Sequence, residues 1–141
     1  MIIDVNVYLS HWPFRRLPHD TPAALVGKLR QRGVEQAWAG SFDGLLHKDI
    51  ASVNARLTAE CNQHGEGLLV PVGAINPTLP DWRDDLRRCH EVHQMRAIRI
   101  HPNYHAYGLD SAICDELFHA AQGRGLIVQL VLTMEDVRVP H

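Results

Sequence analysis

The sequence IIDVNVYL at residues 2–9 decides the fold, because it places aliphatic and polar side chains in alternation. Side chains of a β-strand point to its two faces in turn, so Asp4, Asn6 and Tyr8 would share one face and the aliphatic residues the other. A strand with one apolar face under helices and one polar face pointing inward is typical of the first strand of an α/β barrel. We therefore expect a concave polar face, with the chemistry at the carboxyl end of this strand.

Length and composition restrict the class of protein. The chain has 141 residues and a formal net charge of −2, and 45% of its residues are hydrophobic. This balance predicts one soluble globular domain over residues 1–141, with no nucleic-acid partner. The first residues lack the charged segment and the small-residue cleavage site typical of a signal peptide, and no apolar run approaches the roughly 20 residues of a membrane span. We therefore expect neither export nor a membrane partner. Cys61, Cys89 and Cys114 are odd in number and widely spaced, which favours buried, reduced thiols and a cytoplasmic location.

Short apolar runs alternate along the chain with segments of helical periodicity. The predicted strands are residues 2–9, 36–41, 68–74, 97–100 and 127–132, and the predicted helices are residues 22–32, 49–64, 82–93 and 112–124. The helix signals are Thr21 before Pro22, either Asp110 or Ser111 as a cap, and Gly33, Gly65 and Gly125 at helix ends. Successive strand–helix units of this length predict a parallel sheet with right-handed crossovers.

Two architectures fit this alternation, an open doubly wound sheet and a closed barrel. The segments after the first, third and fourth strands are long and rich in His, Trp, Asn and Pro, whereas the helix-to-strand turns are short and contain glycine. The unusual side chains therefore gather at one end of the sheet, as they do on the catalytic face of a barrel. A nucleotide-binding sheet would have a glycine-rich turn after the first strand, and residues 10–16 contain no glycine.

Three segments of the chain resemble a known family. Residues 2–9, the run AIRIHP at 97–102 and the run GLIV at 125–128 resemble the first, fourth and fifth strands of the amidohydrolase superfamily. The most similar branch is the amidohydrolase-related group that includes aminocarboxymuconate-semialdehyde decarboxylase-like proteins. The resemblance covers essentially the whole chain. It implies the α/β fold of a (β/α)8 TIM barrel, of which residues 1–141 would form the N-terminal part, with about five parallel strands and four helices.

The same resemblance implies an activity and a metal. It implies hydrolase-like cleavage of a C–N or C–C bond, or decarboxylation, of a small carboxylated substrate, with zinc or another divalent metal. In the family, strand one carries the metal ligands Asp-x-His-x-His, but Asn6 and Tyr8 occupy the two histidine positions here, and Val131 lies nearest the histidine position of strand five. Amide and phenol groups are poor zinc ligands, so we expect no metal bound by Asn6 and Tyr8 and predict no cofactor.

The departures from the family pattern leave two other interpretations of the chain open. The chain could be a ligand-binding relative that has lost catalysis and its metal site, or a truncated remnant of a longer gene. Five parallel strands leave the first and the last as open edges. We therefore expect either pairing with a missing C-terminal half or a homo-oligomer formed through those edges.

Polar residues near the strand ends supply the candidate site. The candidate catalytic residues are His101, Asp4 and Glu135, and the candidate substrate-binding residues are Asn6, Tyr8, Arg15, Arg99, Asn103, His105 and Gln129. His101 could act as a general acid or base with a pKa near neutrality, or could simply bond a backbone carbonyl. Arg99 could bind a substrate carboxylate through a bidentate pair. Residues 11–16, HWPFRR, predict either a hydrophobic plug with solvated arginines or an anion clamp beside Arg99.

Overall fold

The computed structural model describes residues 1–134 of the protein, and in this part parallel strands alternate with helices. The strands are β1 Ile2–Leu9, β2 Val34–Ser41, β3 Leu69–Pro71, β4 Gly73–Ala74, β5 Ala97–Ile100 and β6 Ile127–Leu130. The helices are α1 Pro22–Gln31, α2 Ile50–His64, α3 Trp82–Glu91, α4 Pro102–His105 and α5 Ala112–Gly123, and a 3-10 turn, Phe42–Leu45, follows β2. The four predicted helices are confirmed, and α4 is an additional one. No helix within the described residues is long and apolar enough to cross a membrane.

The strands form two parallel sheets of three, in the orders β1-β2-β3 and β4-β5-β6. The mixed α/β class and the parallel pairing are confirmed, but the single strand predicted at 68–74 is wrong, because β3 and β4 are separated at Val72. The N–H of Val72 still donates to the Ala39 carbonyl of β2 at 2.8 Å, whereas β4 pairs with β5. The chain thus changes its partner strand here, next to Pro71, which has no backbone N–H to donate.

Local side-chain bonds fix the starts of the helices. Thr21 accepts the N–H of Ala24 at 3.3 Å, and Pro22 opens α1 as predicted. Asp49 caps α2, and Ser111 rather than Asp110 caps α5. Each cap satisfies an N–H group that the first turn of a helix leaves without a partner.

The main core lies between the sheets and the helices. It includes Val7, Ala39 and Ile98 from the strands and Leu117 from α5. Cys61, Cys89 and Cys114 are buried and form no disulfide, as predicted, and burial raises the pKa of Cys61 and of Cys89 to about 12. These thiols are therefore protonated core groups at neutral pH.

The register of β1 departs from the alternation expected from its sequence. Asp4 pairs with Ala37 and Val7 pairs with Ala39, so β1 has one more residue than β2 between these two pairs. Paired residues of a regular ladder lie on the same face, so the register groups Asp4 with buried Val7 rather than with Tyr8. The expectation that Asp4, Asn6 and Tyr8 share one concave face assumed an uninterrupted strand, and the register shift contradicts it for Asp4.

The outer strands of the two sheets expose much of the apolar surface of the described residues. Ile3 and Val5 on β1 are 46% and 48% exposed, and Ile127 and Leu130 on β6 are 50% and 42% exposed. Exposed apolar side chains on outer strands are a common signal of an interaction surface. Self-association through these strands stays a prediction.

Close packing of α3 on β4 generates a stability prediction. A Cβ atom at Gly73 would lie 2.5 Å from Sγ of Cys89, whereas one at Gly27 in α1 would meet no atom within 4 Å. We expect Gly73→Ala to lower the free energy of unfolding by about 1–3 kcal/mol through overpacking. The control Gly27→Ala should raise it by up to about 1 kcal/mol, since alanine favours the helix. Urea denaturation measures both, and a Gly73→Ala protein as stable as the parent would contradict the packing described here.

Candidate functional site

Arg99 is the most heavily bonded side chain of the candidate site, and it is only 2% exposed. Its Nε donates to Oε1 of Gln129 at 2.8 Å and its Nη1 to the Val7 carbonyl at 2.8 Å. Its Nη2 donates to the carbonyls of Val5 at 2.9 Å and Trp38 at 3.2 Å. A guanidinium has five N–H donors, and these four bonds leave no pair of them for a carboxylate. The structure therefore does not support the predicted substrate-binding role of Arg99, which instead connects β1, β2, β5 and β6.

Gly40 and Gln129 lie next to this guanidinium. Gly40 leaves space for it, and Gln129 extends its hydrogen-bond network. A Cβ atom at Gly40 would lie 2.7 Å from Nη1 of Arg99, so a residue without a side chain is needed where β2 passes the guanidinium. Gln129, a predicted binding residue, accepts from Arg99 through one end of its amide and donates to the Val5 carbonyl at 3.1 Å through the other. Gln129 thus completes the positioning of Arg99 and does not present a free amide.

Tyr8 lies between an aromatic ring and the cation. Its ring stacks on Phe42 with centroids 4.5 Å apart and planes 6° apart, and Cζ of Arg99 lies 4.6 Å from the centroid of the Tyr8 ring. Its hydroxyl lies 2.9 Å from Nε2 of His101. Burial raises the pKa of Tyr8, and Arg99 opposes this shift. The phenol is therefore held in one orientation by three contacts.

His101 follows β5 directly and is 1% exposed. Burial lowers its pKa to about 3, and the neighbouring His105 and Arg99 add to the shift. His101 is therefore neutral at physiological pH, which contradicts the expected pKa near neutrality. Its Nδ1 is buried and has no hydrogen-bond partner among residues 1–134. A buried N–H without a partner costs more than an unused lone pair, so we assign the proton to Nε2, which then donates to Tyr8.

The two polar side chains predicted beyond His101 hold α4 in place. Nε2 of His105 lies 3.0 Å from the carbonyl of Gly44, so His105 attaches α4 to the 3-10 turn, and burial lowers its pKa. Asn103 is exposed and donates to the Leu132 carbonyl after β6. The imidazoles of His101 and His105 have centroids 6.1 Å apart. These contacts are structural, and the structure shows no convergence of Asn103 with Tyr8.

Asp4, the predicted acidic residue within the described part of the chain, bonds its own strand rather than the Tyr8–His101 pair. The Asp4 carboxylate accepts the backbone N–H of Asn6 at 3.0 Å, at the register shift of β1. Within residues 1–134, no hydrogen bond connects the side chain of Asp4 or Asn6 to Tyr8 or to His101. Glu135 lies outside the described residues.

The loop after β1 packs over this end of the sheet and borders a small cleft. Trp12 is 7% exposed and contacts Phe42 edge to face, with ring centroids 5.2 Å apart. This packing agrees with the prediction that residues 11–16 form a hydrophobic plug. This Arg15 cleft has a volume of about 90 Å³ and is lined by Trp12, Arg15, Leu17, Phe42 and Met134. Phe42 is the residue that sequence reasoning missed, although its place directly after β2, at the carboxyl end of a parallel strand, was the available signal.

A family-type metal does not fit the residues found here. The hydroxyl of Tyr8 is bonded to His101, and the family's ligand positions at Asn6 and Val131 carry an amide and an aliphatic group. Across residues 1–134, no group of three or more His, Cys, Asp or Glu side chains could hold a metal ion.

Comparison with known proteins does not add a family. No protein-family model matches the chain, and no curated protein matches it. The likeness to the amidohydrolase superfamily therefore rests on the three segments at 2–9, 97–102 and 125–128 and stays a prediction.

The bonding of Arg99 predicts a large effect on stability. Arg99→Met should lower the free energy of unfolding by about 2–5 kcal/mol, because backbone carbonyls on β1 and β2 would lose buried donors. The control Arg32→Met changes an exposed arginine at the end of α1 and should shift the free energy of unfolding by less than about 0.5 kcal/mol. Urea denaturation compares them. Equal stabilities for the two variants would contradict the assignment of Arg99 as the connector of four strands.

The depressed pKa of His101 predicts an imidazole that does not titrate near neutrality. Its ring resonances, assigned by their loss in His101→Asn, should stay constant between pH 8 and pH 5 in NMR spectra. An unfolded histidine takes up a proton near pH 6.5 and the folded His101 only near pH 3, so His101 makes stability fall as the pH falls below about 6.5. A titration midpoint between pH 5 and pH 7 would refute the buried, neutral state.

Proposed function

We propose that the chain belongs to an amidohydrolase-related (β/α)8 barrel and binds a small carboxylated molecule at the carboxyl ends of β1, β2 and β5. One observation carries this proposal: the ring of Tyr8 is held between Phe42 and Arg99, its hydroxyl is bonded to His101, and Phe42 also lines the Arg15 cleft. Parallel α/β folds bind their ligands at the carboxyl ends of strands, in the loops that follow them.

The chemistry of these side chains suits a carboxylate. With the imidazole proton on Nε2 of His101, the phenolic proton of Tyr8 is free to donate to a ligand oxygen. Arg15 supplies positive charge at the cleft, and Phe42, which both stacks on Tyr8 and lines the cleft, supplies an apolar contact. A cleft of about 90 Å³ admits only a small group, so the ligand enters with one end.

Hydrolase-like cleavage of a C–N or C–C bond, or decarboxylation, is the second candidate function. The contact of 2.9 Å between Tyr8 and His101 favours it, since a phenol bonded to an imidazole can transfer a proton to or from a bound substrate. Binding is the first candidate function, because Arg99 already donates to backbone carbonyls and the low pKa of His101 keeps its imidazole neutral. NMR spectra of the small molecule, recorded during incubation with the protein, distinguish conversion from binding alone.

Calorimetric titration with benzoate tests the binding site. Tyr8→Phe keeps the ring stack but removes the hydroxyl, and we expect it to weaken binding by roughly tenfold or more, the worth of one hydrogen bond to a charged group. Arg15→Gln should weaken it similarly, whereas the control Arg32→Gln, at the exposed C-cap of α1 and outside the cleft lining, should not. Benzyl alcohol is the neutral control ligand. Binding of benzyl alcohol as tight as that of benzoate, or unchanged benzoate affinity in both Tyr8→Phe and Arg15→Gln, would sink the proposal.

A further inference from the structure

A second cleft lies between the start of α2 and the start of α3 and shares no lining residue with the Arg15 cleft. Its volume is about 470 Å³. Its apolar wall includes Ile50, Leu79 and Pro80, and its acidic side includes Asp81 and Asp85. Its volume lies within the range of small-molecule sites, which combine an apolar lining with a few placed polar groups.

Asp85 is the unusual residue of this cleft. It is 7% exposed, it lines the cleft, and its carboxyl has no hydrogen-bond or ion-pair partner in the described part of the chain. The neighbouring carboxylates differ, because Asp84 is bonded to Arg87 and Arg88 and Asp49 caps α2. A carboxylate buried without a partner is costly, so the structure retains at Asp85 an acceptor that it does not use.

The electrostatic surroundings of Asp85 are acidic. Burial raises the pKa of Asp85 to about 6, and repulsion from Asp81, Asp84 and Asp49 adds to this shift, which Arg88 opposes. Among the lining residues of the cleft the cation is Lys48, whose side chain is exposed. A positive group placed beside Asp85 would therefore be attracted by several carboxylates at once.

We propose that this cleft binds a small organic cation, a primary ammonium group on an apolar body. The ammonium group lies against the carboxylates of Asp85 and Asp81, and the body lies against Ile50, Leu79 and Pro80. The three donors of an ammonium group match carboxylate oxygens on one side of a cleft. A metal ion is the less suitable occupant, because no three acidic or imidazole side chains in residues 1–134 converge closely enough to hold one.

Calorimetric titration of the whole chain with 2-phenylethylamine at pH 8 tests the proposal, with 2-phenylethanol as the neutral ligand of the same body. We expect the amine to bind saturably and at least about tenfold more tightly than the alcohol. Asp85→Asn should weaken amine binding by about tenfold or more. The matched control Asp84→Asn removes the same charge from the adjacent, exposed position of α3 and should change the affinity by less than about threefold.

Acidification gives a second readout on the unmodified chain. Amine affinity should fall as the pH drops through about 6, because Asp85, surrounded by Asp81, Asp84, Asp49, Arg88 and Lys48, then takes up a proton. Equal affinities for amine and alcohol would overturn the proposal. An equal loss of amine affinity in Asp85→Asn and in Asp84→Asn would overturn it as well. An absence of saturation up to the solubility of the amine, or displacement of the amine by millimolar Ca²⁺, would overturn it too. The comparison of the two ligands needs no variant, so it decides the matter even where Asp85→Asn fails to fold.

Discussion

The rest of the fold depends on the buried guanidinium of Arg99, because its hydrogen bonds connect four strands that belong to two separate sheets. A charge removed from water needs hydrogen-bond partners, and here the partners are the backbone carbonyls of Val5, Val7 and Trp38 together with the Gln129 amide. The first and last described strands therefore cannot separate without breaking bonds that the buried guanidinium makes to one of them. Gly40 belongs to the same constraint, since a side chain there would occupy the space of the guanidinium.

The same cation acts to lower the pKa of both Tyr8 and His101, which favours the charged form of the phenol but the neutral form of the imidazole. Arg99 favours the ionised form of Tyr8 and thus opposes the rise in the pKa of this phenol that burial causes. It disfavours the protonated form of His101 and so contributes to the low pKa of that imidazole. A neutral imidazole beside a polarised phenol is a donor system for a ligand oxygen, and it is less suited to act as a general base on its own. In the proposed function, Arg99 therefore positions and polarises Tyr8.

Sequence periodicity predicted the parts of the fold that depend on local chemistry. Helix caps such as Thr21 and Ser111 act on neighbours three residues away, so the helices and the parallel α/β class could be predicted. The shift in β1, the division at Val72 and the role of Arg99 depend on partners far along the chain, such as Ala39. The convergence of Tyr8, Arg99 and His101 followed from strand ends meeting at one edge. Their roles did not follow, because burial and backbone acceptors decide them.

The Arg99 network also bears on how the outer strands could meet another molecule. An open strand edge attracts a further strand because its backbone groups have no partners. In β1, the carbonyls of Val5 and Val7 already accept from Arg99 and Gln129, so a strand added there would have to share these acceptors. In β6, no such side chain reaches the backbone of the described residues 127–130, and Ile127 and Leu130 are exposed. A strand added at β6 would therefore meet fewer occupied backbone acceptors than a strand added at β1.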